Sequence, residues 1–176
     1  MSSGKAKGGS FEREIARTLT FYMSGQKKEL WYWRSQSSGG LATIANQPNL
    51  GGDIVAVHEK AYPLTNKYSI ELKTGYDDTC FFQHLKNIKN FNIEVFWKQC
   101  MNDAVKASKL PMLIYRKKGI NPIIGFDIND GKRFIDKDLQ TLSITFSKDK
   151  NLPNIIFFNF DEFLIKIPKD ELLTCV

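Results

Sequence analysis

The hydrophobic pattern changes period along the chain, and this change constrains the fold more than any other feature. From Ser10 to Gly25 apolar residues recur at helical spacing, beginning with Phe11 and Ile15. Short β-branched and aromatic runs then predict three strands, before a second helical pattern and a further strand. These segments are 30–34, 53–57, 68–73, 94–108 and 112–115. The order α-β-β-β-α-β predicts an α/β domain with a mixed central β-sheet flanked by helices.

The chain length of 176 residues predicts a single domain. Residues 1–9, rich in Gly, Ser and Lys, predict a flexible basic arm in front of a domain at 10–176. Within the domain we expect a core at about 10–117 and a β-rich C-terminal extension at about 118–176. The extension has predicted strands at 123–126, 142–146 and 155–160 and a short helix at 161–165. We expect a turn at 61–67, a long loop at 35–52 and an irregular segment at 75–92.

Composition narrows the class of protein. The formal net charge is +6, from 25 Lys and Arg against 19 Asp and Glu, which favours a polyanionic partner. No apolar run approaches the ~18 residues of a membrane helix, and the N-terminus lacks the apolar segment of a signal peptide. We therefore expect a cytoplasmic protein that does not bind membranes. Three cysteines without a C-x-x-C pair, and two histidines, predict neither a disulfide framework nor a zinc site.

Two acidic residues and a lysine form the first candidate site. Asp53 opens an almost purely apolar strand, and Glu71 and Lys73 share one face of the strand predicted at 68–73. If the two strands pair, two carboxylates converge and repel each other unless a cation lies between them. Hard oxygen ligands select Mg²⁺ or Mn²⁺, and Lys73 would position water or neutralise phosphoryl charge. The alternative is a structural salt bridge from Lys73 to either acid.

The first helix contributes a third acidic candidate. At about 100° per residue, Glu12 falls inside the apolar arc, whereas Glu14 and Arg17 fall on the opposite side. A carboxylate on a buried stripe is costly unless it is paired or binds a metal. The alternative is that Glu12 only complements the helix dipole in the first turn.

These residues carry a resemblance to known nucleases. Gly52-Asp53 followed by Glu71-x-Lys73 resembles the active-site signature of the PD-(D/E)XK nuclease superfamily, with Gly in place of Pro. Residues 7–14, KGGSFERE, resemble the opening of archaeal-type Holliday-junction resolvases, in which a Lys-Gly pair precedes a helix beginning Glu-Arg-Glu. Residues 33–35, WRS, resemble the Arg-Ser pair that ends their first strand and begins a substrate-contacting loop. The resemblance covers about 5–75 and, more loosely, the chain up to Tyr115.

The resemblance implies a restriction-endonuclease-like core and a metal-dependent DNA endonuclease that leaves a 5′-phosphate and a 3′-hydroxyl. It further implies a homodimeric, resolvase-like enzyme that acts on branched DNA. The catalytic residues would be Glu12, Asp53, Glu71 and Lys73. Asp53, Glu71 and the backbone carbonyl of Leu72 would hold Mg²⁺ or Mn²⁺, and Glu12 would complete the ligand set.

Further residues are candidates for DNA contacts or remain open. The predicted DNA-binding residues are Lys5, Lys7, Arg13, Arg34 and Ser35. Gln99, on the helix predicted at 94–108, is a possible site residue, although a solvated helix face is the favoured interpretation for Gln99 and Lys106. Two other functions stay open. One is a restriction-like or repair nuclease of the same superfamily, and the other is a non-catalytic DNA-binding module with a relic site.

Overall fold

A computed structural model of the chain describes residues 3–35, 52–75, 92–146, 149 and 151–174. The first half contains helix α1 (Ser3–Ser24), strands β1 (Tyr32–Arg34) and β2 (Ile54–Ala56), a 3₁₀ turn (Glu59–Ala61), helix α2 (Tyr62–Lys67) and strand β3 (Tyr68–Thr74). Helix α3 (Asn92–Lys106) and strands β4 (Leu110–Arg116) and β5 (Ile123–Asp127) follow. The remaining elements are α4 (Ile128–Gly131), a 3₁₀ segment (Lys132–Lys137), β6 (Thr141–Ile144), β7 (Ile155–Asn159), α5 (Phe160–Lys166) and α6 (Lys169–Leu173).

The central sheet is mixed, which confirms the predicted α/β class. Its strand order is β3-β4-β5-β7-β6; β3 and β4 run parallel and the other neighbours antiparallel. Helix α3 lies between β3 and β4 in the chain, as a parallel crossover requires. Strands β1 and β2 form a separate antiparallel pair, which a parallel bridge between Gly52 and Ile70 joins to β3.

Two hydrophobic clusters lie on the two faces of the sheet. Because side chains alternate along each strand, β4 sends Met112 and Ile114 into one cluster and Leu113 and Tyr115 into the other. The first cluster holds α1, α5, α6 and the 3₁₀ segment, through residues that include Phe11, Ile15, Leu19, Phe134, Phe163 and Leu172. The second cluster holds α3, through Ile93, Phe96, Trp97 and Cys100. The sheet edge at β3 therefore lies between α1 on one side and α3 on the other.

Three expectations about the backbone need correction. Helix α1 begins at Ser3 rather than at Ser10, so residues 3–9 are helical and not an arm. The segment 61–67, predicted as a turn, is helix α2, because Pro63 occupies the first turn, where no amide donor is needed, and Leu64 packs into the core. The C-terminal strands β5, β6 and β7 belong to the central sheet, and helices α4 and α6 were not predicted there.

Two predicted segments fall largely outside the described residues. The loop at 35–52 is described only at its ends, Ser35 and Gly52, and the segment 75–92 only at Gly75 and Asn92. Of the helices in the described part of the chain, none combines the length and the apolar character that crossing a membrane requires.

Candidate active site

Asp53 lies where β2 leaves the edge of β3. Its backbone N–H donates to the carbonyl of Ile70 at 2.7 Å, and its Oδ2 accepts from the backbone N–H of Leu72 at 2.8 Å. These bonds place Asp53 next to Glu71, as the sequence predicts. The tight reversal that the sequence predicts between the two strands is not present. The strands run parallel at the bridge, and helix α2 makes the return.

Gly52 makes this close approach possible. Its φ is +92°, in the left-handed region, and a Cβ at this position would lie 2.6 Å from the Ile70 carbonyl oxygen. Backbone packing this tight, in this conformation, favours glycine. The residue before Asp53 therefore sets the distance between β2 and β3.

Glu71 and Lys73 project from β3 toward α3, while their neighbours Ile70 and Leu72 pack into the first cluster. The side chain of Glu71 is 5% exposed, and its Oε1 lies 2.5 Å from Lys73 Nζ. The ammonium group of Lys73 also lies 5.8 Å from the centre of the Phe96 ring, within range of a cation–π contact. The salt bridge named as the structural alternative is thus present, and it lies beside Asp53.

Gln99 on α3 joins this group. Its Nε2 donates to Glu71 Oε1 at 2.8 Å, and its Oε1 accepts from Lys73 Nζ at 3.0 Å. The amide therefore holds the carboxylate and the ammonium group together, while Gln99 itself is exposed on α3, as the solvated-face interpretation expects. The solvated-face interpretation also holds for Lys106, whose side chain is 76% exposed and pairs with Asp103.

Burial makes both acids costly to ionise, and the charge of Asp53 adds to that cost for Glu71. Burial, and then the negative charge of Asp53, raise the pKa of Glu71 from its usual 4.5 to about 7, against the opposing effect of Lys73. Burial also raises the pKa of Asp53, although the Leu72 N–H and Lys73 lower it. Asp103, which sequence reasoning missed, raises the pKa of both acids. It lies one helical turn beyond Gln99, and that spacing was the available signal.

Glu12 is on the sheltered side of α1, as the helical wheel predicts, with its side chain 15% exposed against 51% for Glu14. Its Oε2 lies 3.2 Å from Arg34 Nε. Among the described residues, no three side chains of His, Cys, Asp and Glu lie close enough together to share a metal ion. The structure thus brings Asp53, Glu71 and Lys73 together and places Glu12 on Arg34. Glu14 forms an ion pair with Arg116.

The residues predicted to contact DNA differ in how far the structure leaves their side chains exposed. Lys5 and Lys7 belong to α1, but their side chains lie outside the described set. Arg13 is partly exposed on the same helix. The Arg34 side chain is 32% exposed, which leaves part of it open to solvent. Ser35 is buried and its N–H donates to the Asp53 carbonyl, which does not favour the contact predicted for its hydroxyl.

Comparison with protein-family models gives a match over residues 3–174, to a family described as phage putative PDDEXK endonuclease. The chain belongs to this family. The phage PDDEXK endonuclease family confirms the superfamily that the residues at 52–53 and 71–73 resemble, and it makes the chain a nuclease of the PD-(D/E)XK type. Searches of curated proteins and of solved structures give no match. The resemblance to archaeal resolvases has no support in these comparisons.

The residues of this PDDEXK chain fit a divalent metal, which nucleases of this type generally use. Asp53 and Glu71 offer carboxylate oxygens. The Leu72 N–H bonds Asp53, and its carbonyl leaves the strand on the same side, so it adds a third oxygen at the same edge. Oxygen donors of this kind suit Mg²⁺ or Mn²⁺, which complete their coordination with water. A divalent ion would also neutralise the repulsion between the two acids.

Proposed function

We propose that the chain is a divalent-metal-dependent endonuclease that hydrolyses DNA phosphodiester bonds at the edge of β3. The observation that carries the proposal is the convergence of Asp53 and Glu71 with Lys73 in one sheltered place, within a family of PDDEXK endonucleases. Two sheltered acids with one ammonium group lower the stability of the protein unless a metal ion binds there. Such a cost is typical of functional sites.

Asp53, Glu71 and the Leu72 carbonyl would hold Mg²⁺ or Mn²⁺. The bound ion supplies Lewis-acid polarisation of the phosphate and lowers the pKa of a coordinated water. Lys73 is the group able to orient the attacking water and to balance charge on the phosphate. Gln99 keeps the Lys73 ammonium group and the Glu71 carboxylate in a fixed relation, through its bonds to both.

Branched DNA is the substrate we propose, with a homodimer as the active form. The support is the resemblance of residues 7–14 and 33–35 to resolvases, together with the net charge of +6. Two active sites related by symmetry would cut the two strands of a junction in matched positions. The oligomeric state can be measured by light scattering with and without a four-way junction.

The first test is cleavage by the purified protein with Mg²⁺, Mn²⁺ or EDTA. The DNA panel contains a four-way junction, a fork, a nicked duplex, a linear duplex and a single strand. We expect cleavage with metal only, products with 5′-phosphate ends, and the highest rate on the junction. Equal rates on the junction and the linear duplex would remove the branched-DNA proposal and leave a nuclease of another type.

The second test assigns the site. Asp53→Asn and Lys73→Ala should each reduce cleavage by about 100-fold or more, while DNA binding in EDTA stays unchanged. Asp136→Asn, which removes an exposed acid, is the matched control and should cleave at the normal rate. Full cleavage by both site variants would end the assignment of this site.

A further inference from the structure

Arg34 lies near Asp53, one of the two acids of the proposed metal site. It is the last residue of β1 and pairs in register with Ile54, and the next residue, Ser35, donates its N–H to the Asp53 carbonyl. The Arg34 side chain leaves the strand toward α1, where its Nε meets Glu12 Oε2 at 3.2 Å. A fixed cation thus stands one residue away from the strand position of Asp53.

Helix α1 holds this guanidinium group at two places. A Cβ on Gly9 would lie 2.5 Å from Arg34 Nη1, so the guanidinium group rests directly on the helix backbone there. Glu12 is three residues further on, on the same helix face, and binds the other end of the group. Gly9 and Glu12 therefore define both the depth and the direction of Arg34.

The carboxylate of Glu12 forms an ion pair with Arg34 in this arrangement. Glu12 does not share a group of three potential metal ligands with Asp53 and Glu71 in the described part of the chain. Arg34 keeps 32% of its side chain exposed, and a guanidinium group suits a phosphate because it presents several donors in one plane. A carboxylate behind such a group restricts its rotation.

We propose that Glu12 is a positioning residue, which aims Arg34 at a DNA phosphate next to Asp53, rather than a metal ligand. This inference rests on the proposed nuclease function, and it departs from the role that the resemblance to resolvases implies for Glu12. It makes Gly9, Glu12 and Arg34 a single unit for holding the substrate.

The test separates metal binding from substrate positioning. Mn²⁺ binding is measured by calorimetry without DNA, and the Mn²⁺ concentration for half-maximal cleavage is measured on a four-way junction. Glu12→Gln and Arg34→Gln should leave both metal values within twofold of the unmodified protein, and each should slow cleavage by about 10-fold to 100-fold. Asp53→Asn should abolish Mn²⁺ binding. Arg17→Gln removes an exposed cation from α1 and serves as the charge control.

The double variant decides whether Glu12 acts through Arg34. If it does, Glu12→Gln adds no further loss in the Arg34→Gln background, because residues in one chain of contacts are not additive. Gly9→Ala should slow cleavage like Arg34→Gln and should not lower the melting temperature, since alanine favours the helix and only the guanidinium group has to move.

Three results would overturn the inference. One is a tenfold or greater weakening of Mn²⁺ binding or Mn²⁺ dependence in Glu12→Gln, which would make Glu12 a ligand. Another is a cleavage rate in the Glu12→Gln, Arg34→Gln double variant that falls by the product of the two single losses. The third is normal cleavage by Arg34→Gln. If Asp53→Asn instead keeps both Mn²⁺ binding and cleavage, the proposed function fails, and that outcome is distinct from the other three.

Discussion

At the scale of single residues, the surroundings of Glu71 disfavour the ionised form of its carboxyl group. It is almost fully buried, it lies near Asp53, and it has Lys73 and Gln99 as its polar partners. A carboxyl group in such a place is more easily protonated than one in water, so its pKa rises to about 7. The metal-free protein therefore carries an unfavourable charge near neutral pH.

The pH dependence of stability follows from this shift. Between pH 4.5 and about 7, folded Glu71 keeps a proton that the unfolded chain has lost, so the free energy of unfolding falls as pH rises through this window. We expect a loss of about 3 kcal/mol in EDTA. Denaturant titrations at several pH values measure it, and Glu71→Gln should flatten the curve. Glu59→Gln, at an exposed site, should keep the slope; a flat curve for the unmodified protein would contradict the prediction.

Strand alternation was enough to predict that Glu71 and Lys73 share a face, because that relation is local. The positions of Gln99 and Asp103 could not be predicted in the same way. Their place depends on how far α3 is rotated against β3, which is set by the packing of Phe96 and Trp97 in the second cluster. The partner of Glu12 also required the fold, since Arg34 comes from another element.

At the scale of elements, the bridge at Gly52 and the bonds of Asp53 join β2 to β3. The hydrophobic pattern predicted both strands but not how they connect, because α2 has a pattern too short to distinguish from a turn. The local sequence likewise does not predict the positive φ of Gly52 or its close contact with the Ile70 backbone. The approach of Asp53 to Glu71 thus depends on one glycine.

Gly52→Ala tests this dependence. Adding a Cβ here meets the Ile70 carbonyl, so we expect a loss of about 2–4 kcal/mol in stability and a strong loss of cleavage, although Asp53 itself is unchanged. Gly75→Ala is the matched control, since Gly75 also has a positive φ but no atom of the described residues lies within 4 Å of the added Cβ. The control should lose only about 1 kcal/mol. Equal effects of the two substitutions on cleavage would refute the role of the bridge.

Helix α6 is tied to the beginning of β3. Arg133 donates to the carbonyls of Glu171, Leu172 and Thr174 at 2.7–3.2 Å and to the hydroxyl of Tyr68 at 3.0 Å. The Tyr68 hydroxyl in turn donates to the buried Asp130 at 2.7 Å. One guanidinium group therefore connects the last described helix, the 3₁₀ segment and the strand that carries the site.

Arg133→Ala should destabilise the protein strongly. The substitution leaves Asp130 buried without its ion-pair partner and frees the carbonyls of α6, so we expect a loss of about 3 kcal/mol in the free energy of unfolding. Guanidinium denaturation measures it, and Lys132→Ala, at the exposed neighbouring position, is the control. A loss below about 0.5 kcal/mol would show that the network contributes little.

At the scale of the whole molecule, the basic excess favours association with DNA over distances longer than any single contact. Residues 1–9 were predicted as an arm, yet residues 3–9 extend α1, so Lys5 and Lys7 belong to a helix that packs against the central sheet. The sequence could predict their charge but not this placement, because Gly8 and Gly9 are poor helix formers.

Salt dependence measures the contribution of these lysines. If both contact phosphates, Lys5→Gln with Lys7→Gln should lower the slope of log binding constant against log salt by about 2 on duplex DNA. The pair Lys27→Gln and Lys28→Gln removes the same charge beyond the other end of α1 and should leave the slope nearly unchanged. Equal changes for both pairs would assign the effect to net charge alone.

The grip of Arg133 on α6 has a consequence during synthesis of the protein. The residues of the proposed site have all been synthesised once α3 is made, but the carbonyls that anchor Tyr68 through Arg133 are made roughly 100 residues after that tyrosine. Until these carbonyls are made, the beginning of β3 lacks the contacts that Arg133 forms between Tyr68 and α6. The growing polypeptide thus contains the residues of the proposed site before it has the contacts that hold their strand in place, and we expect activity only after translation has passed Thr174.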